Sequence, residues 1–225
     1  MPASRRCSVS VWTLTQIRWA RPATVLIPLV VILGGCSLPW QEKPDGCASG
    51  HPTDLAHKDL RQADLTRVDL ACAKLQGANL STVNLFQKNL NRADLRGANL
   101  TRAHLEDTNL KGADLSDAIL DGAYLWNSDL RGATLAGAGL RSTTFFEANL
   151  SGTDLTKADL RYVDLGHANL SGADLAGVDL SETTLGGANL SGTNRAGVKW
   201  FHTTCVDGST SEMNGGTCEG HLGLH

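Results

Sequence analysis

The 225-residue chain has little isoleucine, few aromatic side chains and no excess of positive charge. It contains 4 Ile against 34 Leu, and its 11 aromatic residues make up 5% of the sequence. With a net charge of −3, it lacks the basic surface that is typical of nucleic-acid-binding proteins. Hydrophobic residues nevertheless make up 41%, which is too much for a disordered chain. The composition therefore indicates a folded protein whose apolar core is built mainly from leucine.

The sequence also lacks the motifs of common catalytic and phosphate-binding sites. It has no Gly-rich phosphate loop, no nucleophile elbow and no pair of metal ligands at helical spacing. Its histidines, such as His57, His104 and His167, occur without a pattern of partner residues. We therefore predict that the protein is not an enzyme and has no cofactor.

The first 35 residues have the features of an export signal. Four arginines and no acidic residue accompany an apolar run at 23–33, which ends at Leu33-Gly34-Gly35-Cys36. That run is shorter than the ~20 residues needed to span a bilayer, and its flanks are typical of a secretory signal. Residues 33–36 resemble the lipobox of bacterial lipoproteins. The resemblance implies cleavage before Cys36 and a lipid on Cys36. An ordinary signal peptide and an uncleaved anchor are the alternatives.

The rest of the chain follows a period of five. Between positions 55 and 190 every fifth residue is leucine except Phe145, which accounts for 27 of the leucines. This period fits neither a helix nor a strand, so it indicates stacked repeats that share a core. The residue two before each leucine is usually small, with Lys58, Lys88 and Ser128 as exceptions. Asp or Asn usually precedes the leucine, and Gly recurs two residues after it, where a turn favours positive φ.

The pentads at 98–102 and 173–177 resemble the repeat unit of the pentapeptide-repeat family. The resemblance covers residues 53–199 and implies an all-β fold, a right-handed four-sided β-helix of about seven coils with four pentads in each coil. The leucine and the small residue then point inward. We expect a linker and N-terminal cap at 36–52 and a C-terminal cap or tail at 200–225, with Trp200 and Phe201 sealing the last coil.

The cysteines are expected to fasten the two ends of this β-helix, where backbone edges must be covered. Cleavage and lipidation at Cys36 would leave four: Cys47, Cys72, Cys205 and Cys218. Of their three pairings, two would join opposite ends of the implied rod, beyond the ~7 Å limit on Cα separation. We predict the disulfides Cys47–Cys72 and Cys205–Cys218, which an exported protein permits.

The C-terminal tail offers a metal site as an alternative. Cys205, Cys218, His221 and His225 have the spacing C-x12-C-x2-H-x3-H, and these ligand types suit zinc. Both thiols would have to stay reduced outside the cytoplasm, so our main expectation is that no metal is bound.

Residues 20 apart are expected to stack on one side of the β-helix. One side carries a candidate acidic column, interrupted by Lys74 and Thr134, and another carries a candidate amide ladder. A third carries the aromatic stripe, a candidate contact surface. The alternatives are the ordinary Asp or Asn of the repeat and aromatic pairing that only stabilises the sheet. The acidic column is Asp54, Asp94, Asp114, Asp154 and Asp174; the ladder is Asn89, Asn109, Asn149, Asn169 and Asn189; the stripe is Phe86, Tyr124, Trp126 and Phe146.

These features predict a non-enzymatic lipoprotein of the bacterial cell envelope that acts as a structural or protein-interaction rod. It would lie at the cell membrane, or at the outer membrane if the cell has one, and would contact the membrane through the lipid on Cys36. Its partner would be an unknown protein or an envelope polymer, not nucleic acid, and an end-to-end or face-to-face homodimer is a further option. The resemblance also implies an alternative, because some family members mimic DNA and bind type II topoisomerases such as gyrase. The acidic column suits that role, whereas the export signal does not.

Replacement Cys36→Ala tests the lipoprotein assignment. The variant has no thiol to carry the lipid, so we expect it to lose labelling by a radioactive or clickable fatty acid and to leave the membrane fraction. Cys7→Ala is the matched control and should behave as the unchanged protein. Unchanged fractionation of Cys36→Ala would contradict the assignment.

Overall fold

The computed structural model describes residues 52–222. Parallel β-bridges join residues that are 20 apart, from Asp54 with Lys74 to Thr184 with Thr204. Each coil therefore contains four pentads, and each pentad consists of a turn and one side of the coil. The described chain is a four-sided β-helix. Its regular helical structure is one 3₁₀ helix, Ser211–Asn214, and no helix within 52–222 is long and apolar enough to cross a membrane.

Successive coils are joined by backbone hydrogen bonds that follow one pattern. On one side, Leu105 N donates to Tyr124 O at 2.8 Å, and Tyr124 N donates back to Ala103 O at 3.0 Å. In the turn that follows, Asp107 N donates to Trp126 O at 3.2 Å. Because a side is only three residues long, the pairing appears as single-residue bridges. The backbone polar groups that the fold places beside the core thus find partners in the next coil.

Two sets of inward residues fill the interior, the leucines and the small residues, and each set stacks in four columns because a coil has four sides. The leucines between positions 60 and 190 are at most 5% exposed, and Phe145 takes the place of one of them with 0% exposure. Hydroxyl groups among the small residues are also satisfied, because each donates to a leucine carbonyl at 2.6–2.8 Å. Ser128 is one of these, which explains how a polar residue is tolerated at an inward position.

Lys58 and Lys88 occupy positions that elsewhere hold small inward residues, but their charged ends lie outside the core. Lys58 is exposed, and Lys88 Nζ donates to the carbonyl oxygen of Thr66 at 2.6 Å. Near Lys88 the first coil is irregular, since residues 64 and 69 form no bridge with 84 and 89. A lysine at an inward position of the repeat is expected either to extend outward or to mark a local irregularity, and both occur here.

The second residue of nearly every turn has positive φ, and many of these residues are not glycine. Gly97 has φ 61°, as the sequence predicts, but Lys157 and Tyr162 have φ 61° and 63°. Sixteen non-glycine residues within the described range share this conformation, which L-residues usually avoid. The stacking of the coils therefore imposes the turn conformation even where the side chain opposes it.

The Asp or Asn before each leucine stabilises the turn that follows. Asp154 Oδ1 accepts a hydrogen bond from Thr156 N at 2.9 Å, and other pentads repeat this contact. Where arginine follows the leucine, the carboxylate also accepts two hydrogen bonds from the guanidinium, at 59–61, 94–96, 129–131 and 159–161. Hydrogen bonds from Arg131, helped by Lys111, lower the pKa of Asp129 from 3.8 to about 2.

At the C-terminal end, coil pairing continues to Thr204, within the segment expected to form the cap or tail. Trp200 is 6% exposed and Cys205 is fully buried, so both extend the inward columns. Thr204 also pairs with Thr210 in an antiparallel bridge. The expectation that Phe201 seals the last coil is wrong: Phe201 occupies the turn position after Trp200 and is 60% exposed.

Replacement Leu105→Ala measures how much one buried leucine contributes to the stability of the fold. Leu105 is fully buried, so the lost burial and the resulting cavity should lower the free energy of unfolding by about 2–5 kcal/mol. Urea unfolding followed by circular dichroism measures this change. Ile119→Ala removes an aliphatic side chain that is 45% exposed, and it should change the stability by less than about 0.5 kcal/mol. Equal losses in the two variants would contradict the assignment of the core.

Replacement Asp129→Asn tests the ion pairs of the Asp-Leu-Arg pentads. The pKa of Asp129 falls from 3.8 to about 2 on folding, so its carboxylate stabilises the fold above about pH 4 and loses that effect as the pH falls to about 2. The melting temperature of the variant should therefore fall less between pH 4 and pH 2 than that of the unchanged protein.

The matched control for that measurement is Asp154→Asn. Asp154 occupies the same pentad position but forms no ion pair within residues 52–222. Between pH 4 and pH 2 the melting temperature of Asp154→Asn should fall more nearly as that of the unchanged protein does. An equally reduced fall in both variants would count against the ion-pair explanation.

Candidate functional site

The four residues of the aromatic stripe lie at one corner of the β-helix and on the side that leads into it. Phe86, Trp126 and Phe146 occupy the first turn position after the buried residue, and Trp126 and Phe146 belong to adjacent coils. Tyr124 lies on the side, where it is bridged to His104 and Thr144. The four rings are between 39% and 44% exposed. The fold thus brings together the residues that the repeat register predicted to be neighbours.

Contacts between coils hold two of these rings, those of Tyr124 and Phe146, in place. Tyr124 stacks on His104, with ring centroids 5.0 Å apart and an interplanar angle of 17°. Phe146 meets His167 edge to face at 5.4 Å. It also lies over Gly166, where a Cβ atom would come within 3.0 Å of the Phe146 ring. The stripe therefore links coils and still leaves ring surface exposed.

Glu106 is a site residue that our sequence analysis missed. It occupies the same turn position as Phe86 and Trp126, in the coil between them. The residue is nevertheless only 8% exposed. Oε1 lies 3.0 Å from Nδ1 of His104, whereas Oε2 has no hydrogen-bond partner within residues 52–222. The signal in the sequence was a single acidic residue at a repeat position that otherwise carries aromatic residues in this part of the chain.

The segments around the stripe are rich in carboxylates, and Lys88 lies at their border, where its Nζ donates to Thr66 O at 2.6 Å. We call residues 84–87, 104–107, 124–127, 144–147 and 164–167 the acidic aromatic patch. These five segments contain Glu106, Asp107, Glu147 and Asp164, and they contain no lysine or arginine. Three of these carboxylates have hydrogen-bond partners. Glu106 lies beside His104, Asp107 accepts from Asn127 in the next coil, and Asp164 accepts from the backbone N–H of residue 166 at 2.9 Å. The patch combines exposed rings with carboxylates that have no lysine or arginine among them.

The acidic column forms as one stack but is largely occupied by internal contacts. The bridges place its five aspartates in line with Lys74 and Thr134. Asp94 pairs with Arg96 at 2.7 Å, and these hydrogen bonds lower the pKa of Asp94. Asp174 Oδ1 accepts a hydrogen bond from Asn194 at 3.0 Å. These contacts favour a structural role for the column.

The amide ladder is present in two runs. Asn109 donates to Asn89 at 3.0 Å. Beyond Asp129, which interrupts the series, Asn189 donates to Asn169 at 3.2 Å and Asn169 to Asn149 at 3.4 Å. These amides bond to each other along the stack and therefore serve the cohesion of the coils.

A shallow groove of about 910 Å³ lies at the corner before the side that carries Tyr124. Arg102, Arg141 and Tyr162 are among the residues that line it. The Arg141 guanidinium carbon lies 5.8 Å from the centre of the Tyr162 ring, and Arg141 N donates to Asp121 at 3.0 Å. The groove is open, unlike the concave pockets that usually enclose small substrates.

The predicted disulfide Cys205–Cys218 is confirmed, with a Cα–Cα distance of 5.4 Å. This overturns the zinc alternative, because a disulfide leaves neither cysteine as a thiolate ligand. His221 Nδ1 instead lies 2.7 Å from Asp207 Oδ2. Hydrogen bonds from Ser209, together with His221, lower the pKa of Asp207 to about 2. Within residues 52–222 no group of three His, Cys, Asp or Glu side chains is arranged to hold a metal ion.

Several predicted residues lie outside the described range. They include Cys36, Cys47 and His225. Cys72 is disulfide-bonded, and the pairing Cys47–Cys72 stays a prediction because Cys47 is not among the described residues.

The comparisons with known proteins agree with this repeat pattern. The family model described as pentapeptide repeats matches residues 53–85, 89–127, 127–161 and 158–194, with 8 copies. A comparison with curated proteins found no match.

Several solved structures are similar to this chain. HetL from the cyanobacterium Nostoc sp. strain PCC 7120, a pentapeptide repeat protein involved in heterocyst differentiation regulation, is 32% identical; the alignment covers 70% of this chain and 78% of HetL, with a TM-score of 0.36. The pentapeptide repeat protein alr5209 from Nostoc PCC 7120 is also 32% identical, over 53% of this chain and 84% of its own, with a TM-score of 0.30. QnrB1, a plasmid-mediated fluoroquinolone resistance protein, is 18% identical over 66% of this chain and 91% of its own, with a TM-score of 0.33.

The family match covers more than half of the chain, and its residues coincide with the bridged coils. Membership implies a right-handed four-sided β-helix, and proteins of this family are generally non-enzymatic structural or interaction proteins. The chain belongs to the pentapeptide-repeat family.

Proposed function

We propose that this protein is a lipid-anchored, non-enzymatic component of the bacterial cell envelope. Its β-helix would hold a fixed contact surface for another protein or for an envelope polymer. The observation that carries the proposal is the aromatic stripe, whose four residues remain about two-fifths exposed although Tyr124 and Phe146 are held by ring contacts between coils. Ordered, exposed rings on an otherwise polar surface are characteristic of interaction sites.

The interior of the β-helix supports a role without catalysis. Leucine and small residues fill it along the whole described length, and the hydroxyl groups inside it are used in hydrogen bonds to leucine carbonyls. Chemistry would therefore have to take place on the outer surface, where water competes for every polar contact. A surface of this kind is better suited to binding than to the desolvated steps of catalysis.

The proposed location rests on the sequence at 33–36 and is supported by one structural feature. Disulfides form and persist in oxidising compartments and are rare in the cytosol. The buried Cys205–Cys218 bridge is therefore what we expect of an exported protein.

Binding to gyrase is the second candidate, and the stacked aspartates favour it. A DNA mimic has to present its negative charge to the partner. In this chain, however, Asp94 is paired with Arg96 and Asp174 with Asn194. Together with the export signal, these internal contacts place the gyrase function second.

The double replacement Trp126→Ser with Phe146→Ser tests the proposed contact surface. With a biotin ligase fused to the C-terminus, we expect the unchanged protein to label a defined set of envelope proteins in living cells. The double variant should lose part of that set while its melting temperature changes little, because both side chains lie outside the core. Mass spectrometry of the labelled proteins provides the measurement.

Tyr162→Ser is the matched control, since Tyr162 is 54% exposed at another corner. Identical labelling by the double variant and the unchanged protein would contradict the contact surface, and labelling of cytoplasmic proteins would contradict the location. Inhibition or protection of gyrase by sub-micromolar purified protein in a supercoiling assay would replace the proposal with the second candidate.

A further inference from the structure

We propose that the acidic aromatic patch docks a cationic segment of a partner polypeptide, with an arginine or lysine side chain lying against Trp126 and pairing with Glu106. The inference rests on the proposed function, because it specifies the chemistry of the partner that the contact surface takes.

The first step of the argument is the incomplete hydrogen bonding of Glu106. The residue is 8% exposed, and only Oε1 has a partner, Nδ1 of His104 at 3.0 Å. Oε2 is buried and finds no donor within residues 52–222, although buried polar atoms in native proteins almost always have one. An ionised carboxylate accepts several hydrogen bonds. Because Oε2 is closed off from solvent, a partner's N–H group reaches it only when the Glu106 side chain rotates outward. That rotation would exchange a half-bonded buried carboxylate for one paired with a cation.

The second step is the setting of that carboxylate. In the repeat register Glu106 lies between Phe86 and Trp126, whose rings are 44% and 42% exposed. The face of an aromatic ring attracts a cation, and tryptophan does so most strongly. A guanidinium or ammonium group fits this combination, since it can donate to the carboxylate and lie on the ring at the same time.

The third step is the charge of the whole patch. Its four carboxylates have no lysine or arginine among them, whereas Asp94, Asp129 and Asp159 elsewhere on the β-helix are each neutralised by an arginine. An uncompensated negative surface attracts a positively charged partner. A neutral polysaccharide could stack on the rings but would gain nothing from these charges, so the patch favours a cationic polypeptide.

The dimensions of the patch indicate the length of the docked segment. Residues 86 and 146 are three coils apart, which corresponds to about 14 Å at a spacing of ~4.8 Å per coil. An extended peptide rises about 3.3 Å per residue. The stripe can therefore accommodate about four extended residues, enough for two cationic side chains on one face.

The test uses the full-length protein purified in detergent and a fluorescein-labelled synthetic peptide of alternating arginine and glycine. Fluorescence anisotropy should show binding that weakens as salt is raised, and a peptide with citrulline in place of arginine should not bind. Glu106→Gln should weaken binding of the arginine peptide about tenfold or more, and Trp126→Ser about threefold or more. The citrulline comparison uses the unchanged protein and so does not depend on the folding of a variant.

The controls separate a specific site from general attraction to an acidic protein. Asp154→Asn removes a carboxylate, and Tyr162→Ser removes a ring, each outside the patch; both should leave the affinity unchanged. Equal weakening by Asp154→Asn and Glu106→Gln would overturn the proposal, as would equal binding of the citrulline peptide or no binding of the arginine peptide. Salt-insensitive binding of a neutral chitin oligosaccharide that depends on Trp126, without peptide binding, would also overturn it. Failure of the peptide assay with an intact labelling result in cells would leave the proposed function standing, so the two proposals fail separately.

Discussion

The structure depends on the stacking of one 20-residue coil on the next. Most leucine N–H groups donate to the carbonyl group that precedes the leucine of the following coil, at 2.8 Å for Leu105 and Tyr124. This bond sets the register, because a shift by one residue would turn every inward leucine toward solvent. Once the register is set, residues 20 apart must lie in one column, inside and outside. The uniform core and the surface columns are thus two results of the same constraint.

That constraint also decides where function can reside. Between residues 52 and 222 the interior is filled by leucine and small residues, so the outer columns are where this part of the chain can offer a specific contact surface. Most of these columns are used internally: aspartates and asparagines bind turn N–H groups, arginines or each other. The acidic aromatic patch differs, since its rings stay exposed and one buried oxygen of Glu106 has no partner among residues 52–222.

Much of the fold could be predicted from the sequence because a period of five admits few backbones. The interior leucines, the small inward residues, the outward lysines and the Cys205–Cys218 disulfide follow from counting residues. The role of Phe201 could not be predicted, because its exposure depends on where the last coils end. Glu106 was missed for a related reason: its burial arises from neighbours 20 residues away on either side, which no local pattern reveals.

The sequence by itself determined the repeat, the coil length and the identity of the residues in each column, since identical units can bury their leucines only by stacking in register. Only the tertiary structure decided which polar side chains remain available to a partner. The aspartate before the leucine is neutralised where an arginine follows, as at Asp129. At Asp164, near the aromatic stripe, the aspartate has no such arginine. Positive φ at Lys157 and Tyr162 likewise comes from the stacked coils, which override the local preference of the side chain.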